Sequence, residues 1–165
     1  MIKRTPLKRK TPLNRGKKAL KSSGKLRKVG KQPISKLAKK LWELCRKIVK
    51  ATYPHKCYTC GKTLIEGTAD FHIGHFIPKS VCSTELKYSL DNLRPQCSAC
   101  NIWKSGNWPA FEKHLIEDKG EQFVIDLKKR NIETKGLKYG YFWYEKEIEK
   151  LSTLGNSRLF KMGIR

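Results

Sequence analysis

Two Cys-x-x-Cys pairs, Cys57-Tyr58-Thr59-Cys60 and Cys97-Ser98-Ala99-Cys100, constrain the fold of this chain more than any other feature. Each pair forms a knuckle that aims two thiolates at one point, so two pairs suit a tetrahedral zinc ion. Gly61 follows Cys60 and permits the tight turn a knuckle needs. Four thiolates leave no open coordination position, so the implied zinc is structural, and such a site contributes directly to folding. His55 is the rival ligand and reads as a loop residue; Cys45 reads as a helix-core residue, and Cys82 has no assigned role. A zinc ribbon separates its pairs by about 15–20 residues. Here the gap is 36 residues, so an insert lies between the knuckles, and that insert carries the chemistry.

Charge narrows the partners. The chain has 165 residues, with 37 Lys and Arg against 14 Asp and Glu, a formal net charge of +23. A surplus of this size points to polyanions, DNA or RNA, or to an anionic membrane surface. No apolar run approaches the ~20 residues that span a bilayer, and Met1-Ile2-Lys3-Arg4-Thr5-Pro6 has no apolar signal core. The expectation is an intracellular protein of the cytoplasm without a membrane partner, where thiols stay reduced and cysteines serve as metal ligands.

Most of the surplus sits early. Residues 1–50 hold 19 basic residues and one acid, Glu43. Residues 1–33 carry no acid and a short repeat, Thr5-Pro6-Leu7-Lys8-Arg9 and Thr11-Pro12-Leu13-Asn14-Arg15. A segment so poor in apolar surface cannot offset its ordering entropy and is expected to be disordered alone. It reads either as a solvated tail or as a nucleic-acid arm, with Lys3, Arg4, Lys8, Arg9 and Lys10 adding affinity through counterion release.

Order is expected to begin near Pro33-Ile34-Ser35, with Ser35 as N-cap. Leu37, Leu41, Leu44, Ile48 and Val49 follow at helical spacing, and Pro54 ends the helix. Trp108-Pro109 starts a helix with Phe111, Leu115 and Ile116 on its apolar face and Gly120 at its end. A second runs over residues 121–130 and a third from about Tyr141 to Leu151, with a loose end beyond. Strand signals are confined to Ala69–Ile77 and Leu90–Pro95. This gives an α+β chain in four parts: the arm 1–33, a helix over 34–54 packing on the core, a zinc-stabilised core over 55–118, and a helical extension over 119–165.

Between and after the knuckles stand Phe71-His72-Ile73-Gly74-His75-Phe76-Ile77-Pro78, Leu90-Asp91-Asn92-Leu93-Arg94-Pro95-Gln96-Cys97 and Cys100-Asn101-Ile102-Trp103-Lys104. This string resembles the HNH endonucleases: a His before an apolar-apolar-Pro step, an Asn five residues before a Cys, and an Asn after the second Cys-x-x-Cys. His-x-Gly-His-Phe, Cys-x-x-Cys-Asn and the following Lys-Ser-Gly-Asn look like the phage NinG/Rap family of recombination endonucleases. Cys-x-x-Cys-Asn is also similar to phage junction resolvases of the endonuclease VII type. The resemblance covers roughly residues 57–107, and the basic start looks like phage proteins of this kind.

The resemblance implies a ββα-metal, treble-clef-like core with the second Cys-x-x-Cys at the helix start. It implies that His75 is the general base, Asn101 the ligand of a catalytic Mg²⁺ or Mn²⁺, and Asn92 the residue that braces the loop and orients the base. It also implies DNA as partner, branched recombination intermediates as substrate, a homodimer that pairs two active sites, and host-cell cytoplasm as the compartment of a phage protein. Phosphodiester hydrolysis needs these types. A base activates water, a cation offsets the phosphate charge, and an amide oxygen binds a hard ion while leaving positions for water and phosphate. A neutral His accepts a proton near pH 7. Lys104 stands either as a phosphate contact or as a solvated lysine.

The chain departs from the family at Gly74, where many members carry Asp or His as a second metal ligand. Asp70 or His72 could compensate, or Asn101, phosphate and water could hold the ion. On an ideal strand His72 and His75 point to opposite faces. His114 reads as a surface residue. Two other functions compete: a non-catalytic zinc module that binds nucleic acid, and a plain nicking HNH nuclease of duplex DNA.

Overall fold

The computed structural model describes residues 32–161; Lys3, Arg4, Lys8, Arg9 and Lys10 lie outside the described residues. The described chain is mixed α+β: α1 (Ile34–Thr52), β1 (Phe71–His75), α2 (Thr84–Lys87), β2 (Leu93–Cys97), α3 (Trp108–Lys119), α4 (Glu121–Thr134) and α5 (Tyr141–Lys161). A single 3₁₀ turn, Leu90–Asn92, leads into β2, and one wide π-type turn, Ala99–Trp103, leaves it. No described helix is long and apolar enough to cross a membrane.

α1 buries Leu37, Leu41, Cys45, Ile48 and Val49 along one stripe. The N-cap is Pro33, not Ser35, and no side chain caps the helix. Proline's fixed φ already suits a chain entering a helix, and the Pro33 carbonyl takes the Lys36 amide at 2.9 Å. The end follows from Pro54, whose ring forbids helical backbone at the residue before it; Tyr53 is extended at φ −104°, ψ 149°. Tyr144, Ile148 and Leu151 of α5 share a core with α1, Ile73 and Leu93. α5 runs on to Lys161, beyond the expected end at Leu151. The buried Gly155 explains part of that run: a Cβ there would stand 3.5 Å from Ile48, so α5 still lies close against α1.

A second cluster joins Phe76, Ile77 and Leu86 to Phe111 and Leu115 of α3 and to Val124 and Leu127 of α4. A boundary at 118/119 thus falls in the last turn of α3, which shares one core with α4.

The sheet has two antiparallel strands in the register Phe71↔Cys97, Ile73↔Pro95 and His75↔Leu93. Both strands are shorter at their starts than the sequence suggests, because residues 69–70 form a turn and 90–92 a 3₁₀ turn. Pro95 cannot donate to a ladder, but its carbonyl accepts the Tyr58 amide at 2.8 Å, which ties β2 to the first cysteine knuckle. Arg94 is 1% exposed. Its guanidinium donates to the carbonyls of Leu90, Asp91 and Leu93 and lies 4.8 Å from the Tyr53 ring and 5.4 Å from the Tyr58 ring. A buried cation is tolerable only with such partners.

Gly74 faces Gln96. A Cβ at Gly74 would stand 1.8 Å from Gln96 Oε1, while Gln96 Nε2 donates to the Gly106 carbonyl at 2.7 Å and to Thr59 Oγ1 at 3.2 Å. Gly74→Ala should therefore cost about 1–3 kcal/mol through overpacking. Gln96→Ala should remove most of that cost, so the two changes couple. Urea unfolding of wild type, both single variants and the double variant checks this; additive costs would show that Gln96 is not what excludes a side chain at 74.

Candidate functional site

The four cysteines arrive from two directions. Cys57 and Cys60 lie in the loop after α1, Cys97 ends β2, and Cys100 lies in the wide turn. Their Sγ atoms all fall within 4.8 Å of one another, with Cys60 to Cys97 at 3.8 Å. A tetrahedral ion with Zn–S bonds of about 2.3 Å requires sulfurs about 3.8 Å apart, so the cluster could hold a metal such as zinc. Donors surround the sulfurs: the Cys100 amide to Cys97 Sγ at 3.4 Å and Asn107 Nδ2 to Cys100 Sγ at 3.8 Å. Burial pushes the Cys97 thiol up, and the Cys100 amide opposes that. His55 packs edge-on against Phe71 and is no member of the cluster. His114 is half-buried, not a free surface residue: its Nδ1 hydrogen-bonds the Tyr58 carbonyl of the first knuckle at 2.7 Å.

Beside the cluster a cleft of about 650 Å³ runs along β1, lined among others by Trp42, His72, His75, Lys79, Asn101 and Gly106. The register sets His72 opposite Gln96 and His75 opposite Leu93, hence on opposite faces. Both reach the cleft because β1 has a partner on one side only, and the cleft follows its free edge.

His75 stacks on Trp42 of α1, with centroids 5.4 Å apart and planes at 13°. Its Nε2 lies 3.1 Å from the Lys87 carbonyl. A carbonyl only accepts, so Nε2 carries the proton and Nδ1 keeps a free lone pair. Burial pushes the imidazole down to about 4; the Lys87 carbonyl opposes that, and the Lys79 and Lys87 charges add to it. The ring is therefore neutral at pH 7.

The same logic assigns His72 and Asn101. His72 Nε2 meets the Ala69 carbonyl at 2.8 Å, so Nε2 donates and Nδ1 accepts. Asn101 Nδ2 is the donor to that Nδ1 at 3.1 Å. The Asn101 amide oxygen is left for another ligand. Asn101 does not head a regular helix: it lies in the wide turn, closed by the Lys104 amide on the Ala99 carbonyl at 3.0 Å, and α3 starts only at Trp108. Lys104 is exposed just after that turn.

Asn92 is fully buried and does not touch His75. Its Oδ1 accepts the Ile77 amide at 2.7 Å, and its Nδ2 donates to the Ile77 and Leu86 carbonyls at 3.2 Å each. It thereby joins the segment after His75 to the helix whose Lys87 carbonyl holds the His75 ring. Asp70 is committed elsewhere: it accepts from the Ser98 amide at 2.9 Å and pairs with Lys62 at 2.8 Å. Lys62 and Ser98 hold its carboxyl well below the usual carboxylate range. Of the two candidates to replace a ligand at Gly74, only His72 lines the cleft, and with Nε2 on the Ala69 carbonyl and Nδ1 taken by Asn101 it has no free lone pair for an ion in this arrangement. Sequence reasoning missed Trp42, Arg46 and Lys79 as cleft residues. Trp42 and Arg46 were legible only as residues flanking the apolar stripe of α1.

These features define a mixed α+β protein with a small two-stranded sheet, a four-cysteine cluster able to hold a metal, and a histidine- and amide-lined cleft on the sheet's free edge. A family model described as the bacteriophage lambda NinG protein matches residues 2–147. The chain belongs to the NinG family. It is similar to the ninG protein of Escherichia phage lambda, with 29% identity over 109 residues, 62% of this chain and 48% of that relative. The chain thus spans about half the length of the curated relative it matches. No solved structure matches it.

Two outcomes follow. Cys57→Ser should abolish or lower the cooperative thermal transition and reduce bound zinc below one equivalent per chain; unchanged melting and metal content would remove the cluster from the fold. The His75 ring, with a folded pKa of about 4 against an ordinary 6.5, stabilises the fold fully above pH 6.5 and loses that contribution as pH falls toward 4. His75→Gln should flatten the stability loss between pH 7 and pH 5 by up to ~2 kcal/mol relative to wild type. Thiolate protonation is common to both proteins and cancels; parallel urea-midpoint curves would contradict the burial assigned to the ring.

Proposed function

We propose that this chain is a metal-dependent endonuclease of the HNH (ββα-metal) type that hydrolyses DNA phosphodiester bonds. Its substrates are branched recombination intermediates in a phage-infected cell, its cluster holds structural Zn²⁺, and its catalytic ion is Mg²⁺ or Mn²⁺. One observation carries the reading: His75, with Nδ1 left free, and Asn101, with its amide oxygen left free, line the same cleft.

The residues divide the work by their chemistry. Lys79 lines the cleft and offers a cation to a scissile phosphate; Arg46 also lines it and would exchange its exposed partner Glu43 for that phosphate. His75 Nδ1 takes the proton of an attacking water, while Nε2–H stays on the Lys87 carbonyl. That carbonyl stabilises the imidazolium that forms, and a phosphate anion in the cleft raises the basicity that burial lowers. Asn92 positions both segments that hold the ring. Asn101 Oδ1, beside His72, would hold the divalent ion. When bound, that ion offsets phosphate charge and stabilises the leaving oxygen. The basic arm, Lys3, Arg4, Lys8, Arg9 and Lys10, and Lys104 add sequence-independent affinity. A junction offers two strands to cut, so the reading includes a homodimer with paired sites.

Gly74 favours a second reading. The place where many HNH members carry a metal-binding side chain is filled here by the Gln96 amide. A zinc-stabilised module that binds nucleic acid without cutting it would have no need of that ligand. The two readings separate on cleavage of a four-way junction, a flap, a duplex and a single strand, with Mg²⁺ or Mn²⁺ and with EDTA. Under the nuclease reading His75→Ala lowers metal-dependent cleavage at least ~10²-fold and leaves binding intact. Salt-sensitive binding with no cutting of any substrate would establish the module instead.

A further inference from the structure

The segment Cys100-Asn101-Ile102-Trp103-Lys104-Ser105-Gly106-Asn107 holds the most exposed large apolar side chain among the described residues. Trp103 is 83% exposed and Ile102 55%. Trp103 forms no ring contact with any described residue. A tryptophan left in water forgoes most of the stabilisation its burial would give, so its position in a folded chain needs a reason. The neighbours suggest one. Asn101 on one side, and Ser105 and Gly106 on the other, line the cleft. Trp103 does not itself line the cleft; it is carried by the segment whose Asn101, Ser105 and Gly106 do, two residues from Asn101.

This segment is rigid. The Lys104 amide bonds the Ala99 carbonyl, the Gly106 amide the Cys100 carbonyl at 2.9 Å, and the Asn107 amide the Lys104 carbonyl at 2.7 Å. Ser105, Gly106 and Asn107 all have left-handed backbone, at φ 48°, 89° and 48°. Two of these are not glycine, and such strain persists only where surrounding structure imposes it; the Asn107 side chain is tied to Cys100 Sγ. The cysteine knuckle thus fixes the backbone that carries Trp103 next to the cleft-lining segment. The charge around it is positive. Lys104 is exposed and forms no ion pair among the described residues, and Lys79 lines the cleft itself, as does Arg46, which is paired with Glu43 at 3.4 Å.

We propose that Trp103 is a stacking platform for one unpaired base of the strand seated in the cleft, with Lys104 meeting the adjacent phosphate. A flat apolar ring flanked by cations matches a nucleobase between phosphates better than it matches an apolar protein surface. The base is unpaired because a base inside a duplex has both faces covered. This makes the substrate class a nucleic acid with unstacked bases at the site of engagement: a single strand, a flap or a branch point. The proposal rests on the nuclease reading only for what happens next, and its test does not depend on cleavage.

The test is binding by zinc-loaded full-length protein, with no other divalent ion added, to a fluorescent single-stranded oligonucleotide and to a duplex of the same sequence. Trp103→Ala should weaken single-strand binding about tenfold or more and change duplex binding less than about twofold, with an unchanged thermal midpoint. Trp103→Phe, which keeps a π face, should recover most of the lost affinity. Equal weakening on both ligands, no weakening on either, or no recovery with Phe would overturn the proposal, and the first two outcomes would point to a general electrostatic surface or to a protein-docking residue. Selective loss in Trp103→Ala from a protein that cuts nothing would uphold Trp103 and sink the nuclease. Cutting by wild type with unaltered binding in Trp103→Ala would do the reverse.

Discussion

Four cysteine sulfurs brought within 4.8 Å of one another organise the sheet and the cleft beside it. A two-stranded sheet is marginal in water by itself, and this one has no third strand among the described residues. The first knuckle covers the outer edge of β2 through the Tyr58 amide on the Pro95 carbonyl. The second knuckle is the end of β2 itself. Asp70 binds Ser98 of one knuckle and Lys62 beside the other. The cluster thus closes one edge of the sheet and leaves the other, β1, facing the cleft. The same cross-link that stabilises the sheet decides which edge is free to meet a ligand.

The environment of His75 combines burial with access. Trp42 covers one face of the ring, and the Lys87 carbonyl holds Nε2. These contacts fix orientation and tautomer together, which a solvent-exposed histidine lacks. The cost is a depressed basicity, because imidazolium is poorly solvated there. An anion in the cleft reverses that cost locally. The ring is thus neutral without ligand, and on the proposed mechanism a phosphate in the cleft would make it a better proton acceptor. Asn92 extends the arrangement backward: it joins the chain just after His75 to the turn of α2 that holds the ring, so that a fully buried amide transmits the packing of the second core to the cleft.

What could be read from the sequence was what is local in the chain. The cysteine spacing, the helix stripe of α1 and the Gly120 stop follow from periodicity and chain stiffness. Resemblance to known nucleases picked out His75 and Asn101, which the fold brings to one cleft, and offered His72, which lies beside them. What could not be read depends on residues far apart. Nothing near Gly74 announces Gln96, 22 positions away, as the group that occupies its side-chain space. Trp42 reads as one more apolar residue until the fold lays it on His75. Ser35 is a good cap by type, yet Pro33 enters the helix first because its ring has already fixed the backbone. The full length of α5 was hidden because its core contacts come from α1, on the other side of the sequence.

Gly74 and Gln96 bear on the chemistry together. A side chain at 74 would point into the space the Gln96 amide takes, and that amide is tied to Thr59 of the first knuckle and to Gly106 of the strained turn. The loss of a ligand at 74 and the bracing of the turn are therefore two sides of one packing solution. The Gln96 amide fills the space of a side chain at 74 and, through Gly106, ties down the segment that follows Asn101 and Trp103. An ion held by fewer protein atoms binds weakly without substrate and depends on phosphate oxygens to complete its shell. On the proposed mechanism, metal and nucleic acid then bind cooperatively, and a rigid segment that captures the strand matters more than it would in a relative that carries its own second ligand.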